Sequence, residues 1–362
     1  MRLLLAAIAV LFALPFILSG AAAQPTAPCT PSMGLHFVCG LDKPEDLIQL
    51  PGSKWLIASG MGSGGGLRLV DSAAKAVRPF YTGAPAQIRQ DRKWFSRCPG
   101  TPDIKTFNTH GIALRPTTTD GVYRLYAVMH APLESIQVFA VDARGEVPQI
   151  RWTGCVLLPA DFRTNAVSAL KDGTILVNVQ MTGTTTTRDF IDGRPTGGVF
   201  EWKPGREGLR LLPGTQLAGN NGFELSSDER EFYIAVSGTQ TVAVYALADT
   251  ARPLRTVRTS WFNLDNIHWS NGKLIAAGMM YDEPACGGTR KQILDRGGEL
   301  ACKRGWVAAE LDPTAMTWTI LAYGEPNPAF GGIATALVIG DTLWLSSYTE
   351  DRVAWRTLPG RK

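Results

Sequence analysis

The amino-acid sequence predicts an all-β protein, a six-bladed β-propeller, on three observations. Short apolar runs alternate with turn signals and almost no long helical periodicity. The runs come as six similar pairs at spacings near the repeat length of propeller blades. A further run precedes each pair, and in five of the six it opens on Glu, His, Asn or Asp-Asn at the same phase.

The chain starts with a segment outside that repeat. Arg2 is followed by LLLAAIAVLFALPFIL and then SGAAAQ, which reads as a secretory signal over residues 1–23 with cleavage after Ala23. Pro15 interrupts the apolar run and no charged flank follows it, which disfavours a stable transmembrane anchor. A periplasmic or secreted protein is expected, with residues 24–362 forming a single domain, since no Pro/Ser-rich linker or charge run divides them. Net charge is +4 with both signs scattered, so no electrostatic footprint for nucleic acid is present.

All six cysteines follow the signal, and an even count in an exported chain favours disulfides. Spacing does not fix their connectivity. Cys29 with Cys39 and Cys286 with Cys302 would each close a short loop, leaving Cys98 for Cys155. No pair has the CxxC spacing of a zinc site.

The paired runs begin at Lys54, Arg124, Thr174, Glu231, Lys273 and Thr342, in segments such as KWLIASG, RLYAVMH and EFYIAVS. The segments before them are PEDLIQL, THGIALRP, NAVSALKD, NGFELSSD, DNIHWSNG and GIATALVI. If each is the innermost strand of its blade, their opening residues face one end of a central channel. Asn and Asp also cap turns at strand starts, and for one residue alone that explanation is the better one. It weakens when the polar position recurs in phase.

Glu45, Asn165, Asn221, Asp265 and Asn266 would then converge as five oxygen donors carrying two formal negative charges. That suits calcium, which takes six to eight oxygen ligands. A bound cation could polarise an ester or lactone carbonyl, and His supplies a base that is partly neutral near pH 7. His110 opens the second inner strand and His130 ends the next strand of that blade, so the two can meet as base and orienting partner. His36 and His268 are read as structural. GMGSGGG lacks the Lys-Ser/Thr of a phosphate loop, and neither GxSxG nor HExxH is present.

The stretches NGFELSSDEREFYIAVSGTQTVAVY and LDNIHWSNGKLIAAG resemble the paraoxonase/arylesterase group, with gluconolactonases and strictosidine-synthase-like propellers as more distant relatives. PEDLIQLPGSKWLIASG, NTHGIAL and LYAVMHAP look like that group's first metal-ligand segment and its two histidine segments. The resemblance implies a catalytic calcium held by Glu45, Asn165, Asn221, Asp265 and Asn266, a His110–His130 dyad, and hydrolysis of lactones and aryl esters. It further implies a second, structural calcium at Asp46 and the carbonyl of Ile112. Here the chain departs, because Ala166 stands where the group has an Asp and leaves that second ion short of a carboxylate. The group's disulfide between the N-terminal segment and the C-terminal end also has no counterpart. Residues 281–304, and the loop 87–106, are expected to set substrate preference. Two other functions stay open: a sugar-lactone hydrolase of gluconolactonase type, and a non-catalytic propeller in which calcium holds the blades and one face binds a ligand or protein.

Overall fold

The computed structural model describes residues 28–360, so the secretory signal expected over 1–23 lies outside the described residues. Six four-stranded antiparallel sheets follow one another in chain order. Their innermost strands are Leu47–Gln49, Ile112–Pro116, Arg163–Ala169, Asn220–Leu225, Phe262–Ser270 and Ile333–Ile339, the segments in which the sequence places them. The second strands, such as Val122–Met129, Glu231–Val236 and Thr342–Ser347, carry the most continuous apolar runs. They are covered on both faces by neighbouring blades, so their sequences lose the strict alternation of a half-exposed strand.

The ring closes through the N-terminus. Three strands of the last blade come from the C-terminal end, and the fourth is His36–Cys39, paired with Arg352–Thr357 in the register Phe37↔Ala354 and Val38↔Val353. Arg352, 1% exposed, donates to the Pro28 carbonyl at 2.9 Å and lies 5.4 Å from the Phe37 ring centre. Strand pairing and this buried guanidinium thus join the two ends of the described residues. The disulfides are Cys29–Cys39, Cys98–Cys155 and Cys286–Cys302. Such bonds persist in oxidising compartments, which is consistent with export. Among the described residues no helix is long and apolar enough to cross a membrane.

The inner strands are not regular. Register breaks fall between Thr164 and Ala166, Asn220 and Phe223, Leu264 and Ile267, and Ile333 and Ala336. A bulge re-aims the side chains within it. Asn165, Asn221 and the Asp265-Asn266 pair therefore sit where the strand is free to turn them toward the axis. The strands also approach closely here. A Cβ on Gly222 would lie 2.6 Å from the Ile267 nitrogen, and one on Gly111 would lie 2.3 Å from the Asn165 carbonyl oxygen. Only glycine fits beside these polar residues.

Candidate active site

One end of the channel opens into a cavity of about 210 Å³ whose lining includes Glu45, His110, Asn165, Asn221 and Asp265. Four of the five expected oxygen donors thus face a single space. Asn266, the fifth, is 2% exposed and not part of that lining; its amide nitrogen donates to Glu45 Oε1 at 2.8 Å and to the Thr335 hydroxyl at 3.0 Å. It holds Glu45 in place from behind. Thr335, from the bulge of the sixth inner strand, is a site residue that sequence phase did not reveal, because a threonine in an apolar run carries no signal of its own.

Three oxygens of this set, Glu45 Oε2, Asn165 Oδ1 and Asn221 Oδ1, are buried and have no hydrogen-bond partner. Each such atom costs about 1–3 kcal/mol if left unsatisfied. Asp265 lies among them, its acid group pushed up to about 8 by burial and then by the charge of Glu45. Crowded carboxylate and amide oxygens short of donors are the chemistry of a hard cation site. Among the described residues no group of three or more His, Cys, Asp or Glu is arranged to hold a metal, so an ion here would depend on the asparagine carbonyls. The donor set fits calcium and lacks the nitrogen and sulfur ligands of zinc.

The two histidines meet beside this set. His110 Nδ1 and His130 Nε2 are 2.8 Å apart, and His130 Nδ1 is 2.9 Å from Glu134 Oε2. Glu134 is 6% exposed, and its other oxygen accepts from the Thr164 backbone at 2.8 Å. An acceptor-only carboxylate forces a proton onto His130 Nδ1, and neutral His130 then accepts from His110 Nδ1. His110 Nε2 is left to face the cavity, 3.3 Å from Asn165 Nδ2 and 3.4 Å from Glu45 Oε1. Burial opposes a charge on His110, but the carboxylates of Glu45, Asp265 and Asp46 together outweigh it and hold the ring above its ordinary pKa. Glu134 was missed in the sequence, although its place four residues after His130 was the available signal.

Asp46 and Ile112 are arranged differently. Asp46 accepts from the Leu47 and Ile112 backbone amides, each at 2.8 Å, and lies 3.0 Å from the Thr335 hydroxyl. His268 Nε2 completes the set at 2.7 Å, with Nδ1 2.9 Å from Glu224. The Ile112 amide, not its carbonyl, meets Asp46. Asp46 is filled by donors, and His268, pushed up to about 10 by its two carboxylates against the opposing effect of burial, supplies the cation there.

The two segments expected to set substrate preference part company. Residues 281–304 fold over the cavity with a small sheet, Asp282–Glu283 with Gly288–Thr289, and a helix, Arg290–Asp295, that brings Arg290 into the lining. Loop 87–106 does not reach it: Phe95 stacks on Trp202 and Trp94 lies under Arg124, on the outer side of the second and third blades. Substrate contacts expected from that loop are therefore absent from the cavity.

No protein-family model and no curated protein matches the chain in sequence. Solved structures do match. A luciferin-regenerating enzyme superposes with a TM-score of 0.52 at 12% identity, over 91% of this chain and 97% of that one. Regucalcin from Agrobacterium tumefaciens, described as a calcium-binding protein, gives 0.51 at 12% identity, over 91% and 94%. The likeness is one of fold. Both neighbours are six-bladed propellers, as the resemblance seen in the sequence implied of this chain.

Proposed function

We propose that the chain is an exported calcium-dependent hydrolase of small lactones and aryl esters. The observation that carries this reading is the set of three unpartnered buried oxygens, on Glu45, Asn165 and Asn221, turned on one cavity beside a histidine relay. Glu45, Asn165, Asn221 and Asp265 would hold calcium with Asn266 bracing Glu45, and the bound ion would polarise the substrate carbonyl and offset the developing oxyanion charge.

The chain's own residues do the rest. His110 Nε2 takes a proton from the attacking water, forming the bond between water oxygen and carbonyl carbon. His130 accepts from His110 Nδ1 and fixes its tautomer, and Glu134 does the same for His130. When the carbon–oxygen bond of the ring or ester breaks, the departing alkoxide recovers the proton from His110. The product is a hydroxy acid, or an acid and a phenol.

The test is turnover of aliphatic lactones and phenyl acetate by the mature protein, with EGTA and with calcium restored. Turnover that EGTA abolishes and calcium recovers supports the reading. Activity that survives EGTA sinks it. His110→Gln separates it from a sugar-lactone hydrolase: a large loss is expected here, a small one there. No turnover, with melting still sensitive to EGTA, would leave a calcium-stabilised binding propeller.

A further inference from the structure

The mouth of the cavity is built by two short helices from different blades, Thr187–Ile191 and Arg290–Asp295. They are tied to each other and to the frame. Arg188 reaches Asp192 at 2.8 Å and Asp295 at 2.5 Å; Lys291 reaches Asp192 at 2.9 Å; Arg194 reaches Asp189 at 2.5 Å. The Cys286–Cys302 disulfide closes the segment 281–304, and Arg304 anchors it by donating to the Gly288 carbonyl at 2.7 Å and to the Tyr281 carbonyl at 3.2 Å.

Arg290 is the exception in this network. Both carboxylates on the two helices, Asp189 and Asp295, are engaged by other cations, and the Arg290 side chain makes no hydrogen bond or ion pair among the described residues. Its guanidinium carbon lies 5.7 Å from the Phe190 ring centre, and the side chain lines the cavity above Glu45 and Asp265. Around it the walls are apolar at Met61, Phe190 and Met279 and polar at Gln180 and Asn263. A rigid lid that pairs its other charges and aims one free arginine at the reaction space is a recognition device. Guanidinium is suited to this, since its fork matches a carboxylate bidentately. With a divalent cation offsetting Glu45 and Asp265, the cavity as a whole carries the surplus positive charge of Arg290.

We propose that Arg290 is a specificity residue, and that the substrate is a small lactone or ester bearing a carboxylate that docks on it. This rests on the hydrolase reading for the reacting group and on the lid geometry for the carboxylate. The cavity, about 210 Å³, is below the roughly 300–1,000 Å³ of drug-sized ligand sites, so the ring and its carboxylate must be compact.

The experiment compares γ-carboxy-γ-butyrolactone with its neutral counterpart γ-valerolactone, on calcium-loaded wild type, Arg290→Gln and Arg290→Lys. Calorimetric titration with tetrahydrofuroate, which cannot be hydrolysed, against neutral tetrahydrofurfuryl alcohol gives a readout independent of turnover. A charge-assisted contact should favour the carboxylated lactone in kcat/KM by about 10- to 100-fold. Arg290→Gln should collapse that ratio and abolish tetrahydrofuroate binding, and Arg290→Lys should retain part of both. A wild-type ratio near one overturns the proposal, as does an equal fall for both lactones in Arg290→Gln, the result of a purely structural lid. If wild type hydrolyses neither these lactones nor phenyl acetate, the hydrolase reading fails and the titration alone decides: binding that Arg290→Gln removes sustains the anion site, and equal or absent binding ends it.

Discussion

Replacing His268 by Gln tests whether the channel depends on a cation that the chain itself provides. His268 is 8% exposed and its ring joins Asp46, 2% exposed, to Glu224. Removing one partner of a buried pair costs about 3–5 kcal/mol. A rise of the imidazole from 6.5 to about 10 allows up to about 5 kcal/mol at ~1.4 kcal/mol per pH unit. Asp46 keeps three other donors and Gln can still donate, so the lower end, about 3 kcal/mol, is expected. The folded value lies above the unfolded one. The contribution is therefore complete below about pH 6.5 and is lost as pH climbs through 10. Urea unfolding of wild type and variant at pH 6, 8 and 10 measures the difference directly, and the lysines and tyrosines that titrate near pH 10 cancel between them. The two should differ by about 3 kcal/mol at pH 6 and converge above pH 10. A gap under about 1 kcal/mol at pH 6, or one that does not change with pH, would refute a charged His268.

Two further outcomes bear on the site. Glu134→Gln leaves the fold but lets the His130 tautomer reverse; kcat on a lactone should fall about 10- to 100-fold with KM little changed, and full activity would remove Glu134 from the relay. Calcium at 100 times its Kd should stabilise wild type by about 2.7 kcal/mol, read as a rise in melting temperature. Asn165→Ala and Asn221→Ala should lose most of that rise, and a full response in both would place the ion elsewhere.

The fold was legible because a propeller repeats one unit, and six weak strand signals in phase add up to a strong one. The inner strands fell where NGFELSSD, DNIHWSNG and their counterparts put them. His36–Cys39 was not placed, since four residues of which only Val38 is buried carry little pattern and their partner is more than 300 residues away. Within the site, residues that lead a strand were legible and residues that support them were not. Asn165 and Asn221 declared themselves by phase; Glu134 is marked only by its place four residues after His130, and Thr335 acts through long-range contacts to Asn266 and Asp46 that sequence spacing does not encode. The bulges around Asn165, Asn221 and Asp265 were equally silent, and they explain why strand-start arithmetic located residues that lie inside the strands.

Charge along the channel accounts for the division of labour among these residues. Glu45, Asp46, Glu224 and Asp265 bring four acidic groups to one axis, two of them, Glu224 and Asp265, on bulged inner strands. The chain answers Asp46 and Glu224 with His268, packed between them and fully hydrogen-bonded. For Glu45 and Asp265 it offers His110, which the proposed chemistry needs free to lose its proton, and Arg290, which stands at the mouth without a hydrogen bond to either. The pair next to the cavity is thus the under-compensated one, and Asp265 is the acid whose carboxyl is pushed up. A divalent cation held as proposed would relieve that pair and leave His110 and Arg290 free. On this account the lower acids are neutralised permanently and the upper ones only on loading. Calcium removal should then disturb the cavity and its catalysis well before it disturbs the blades.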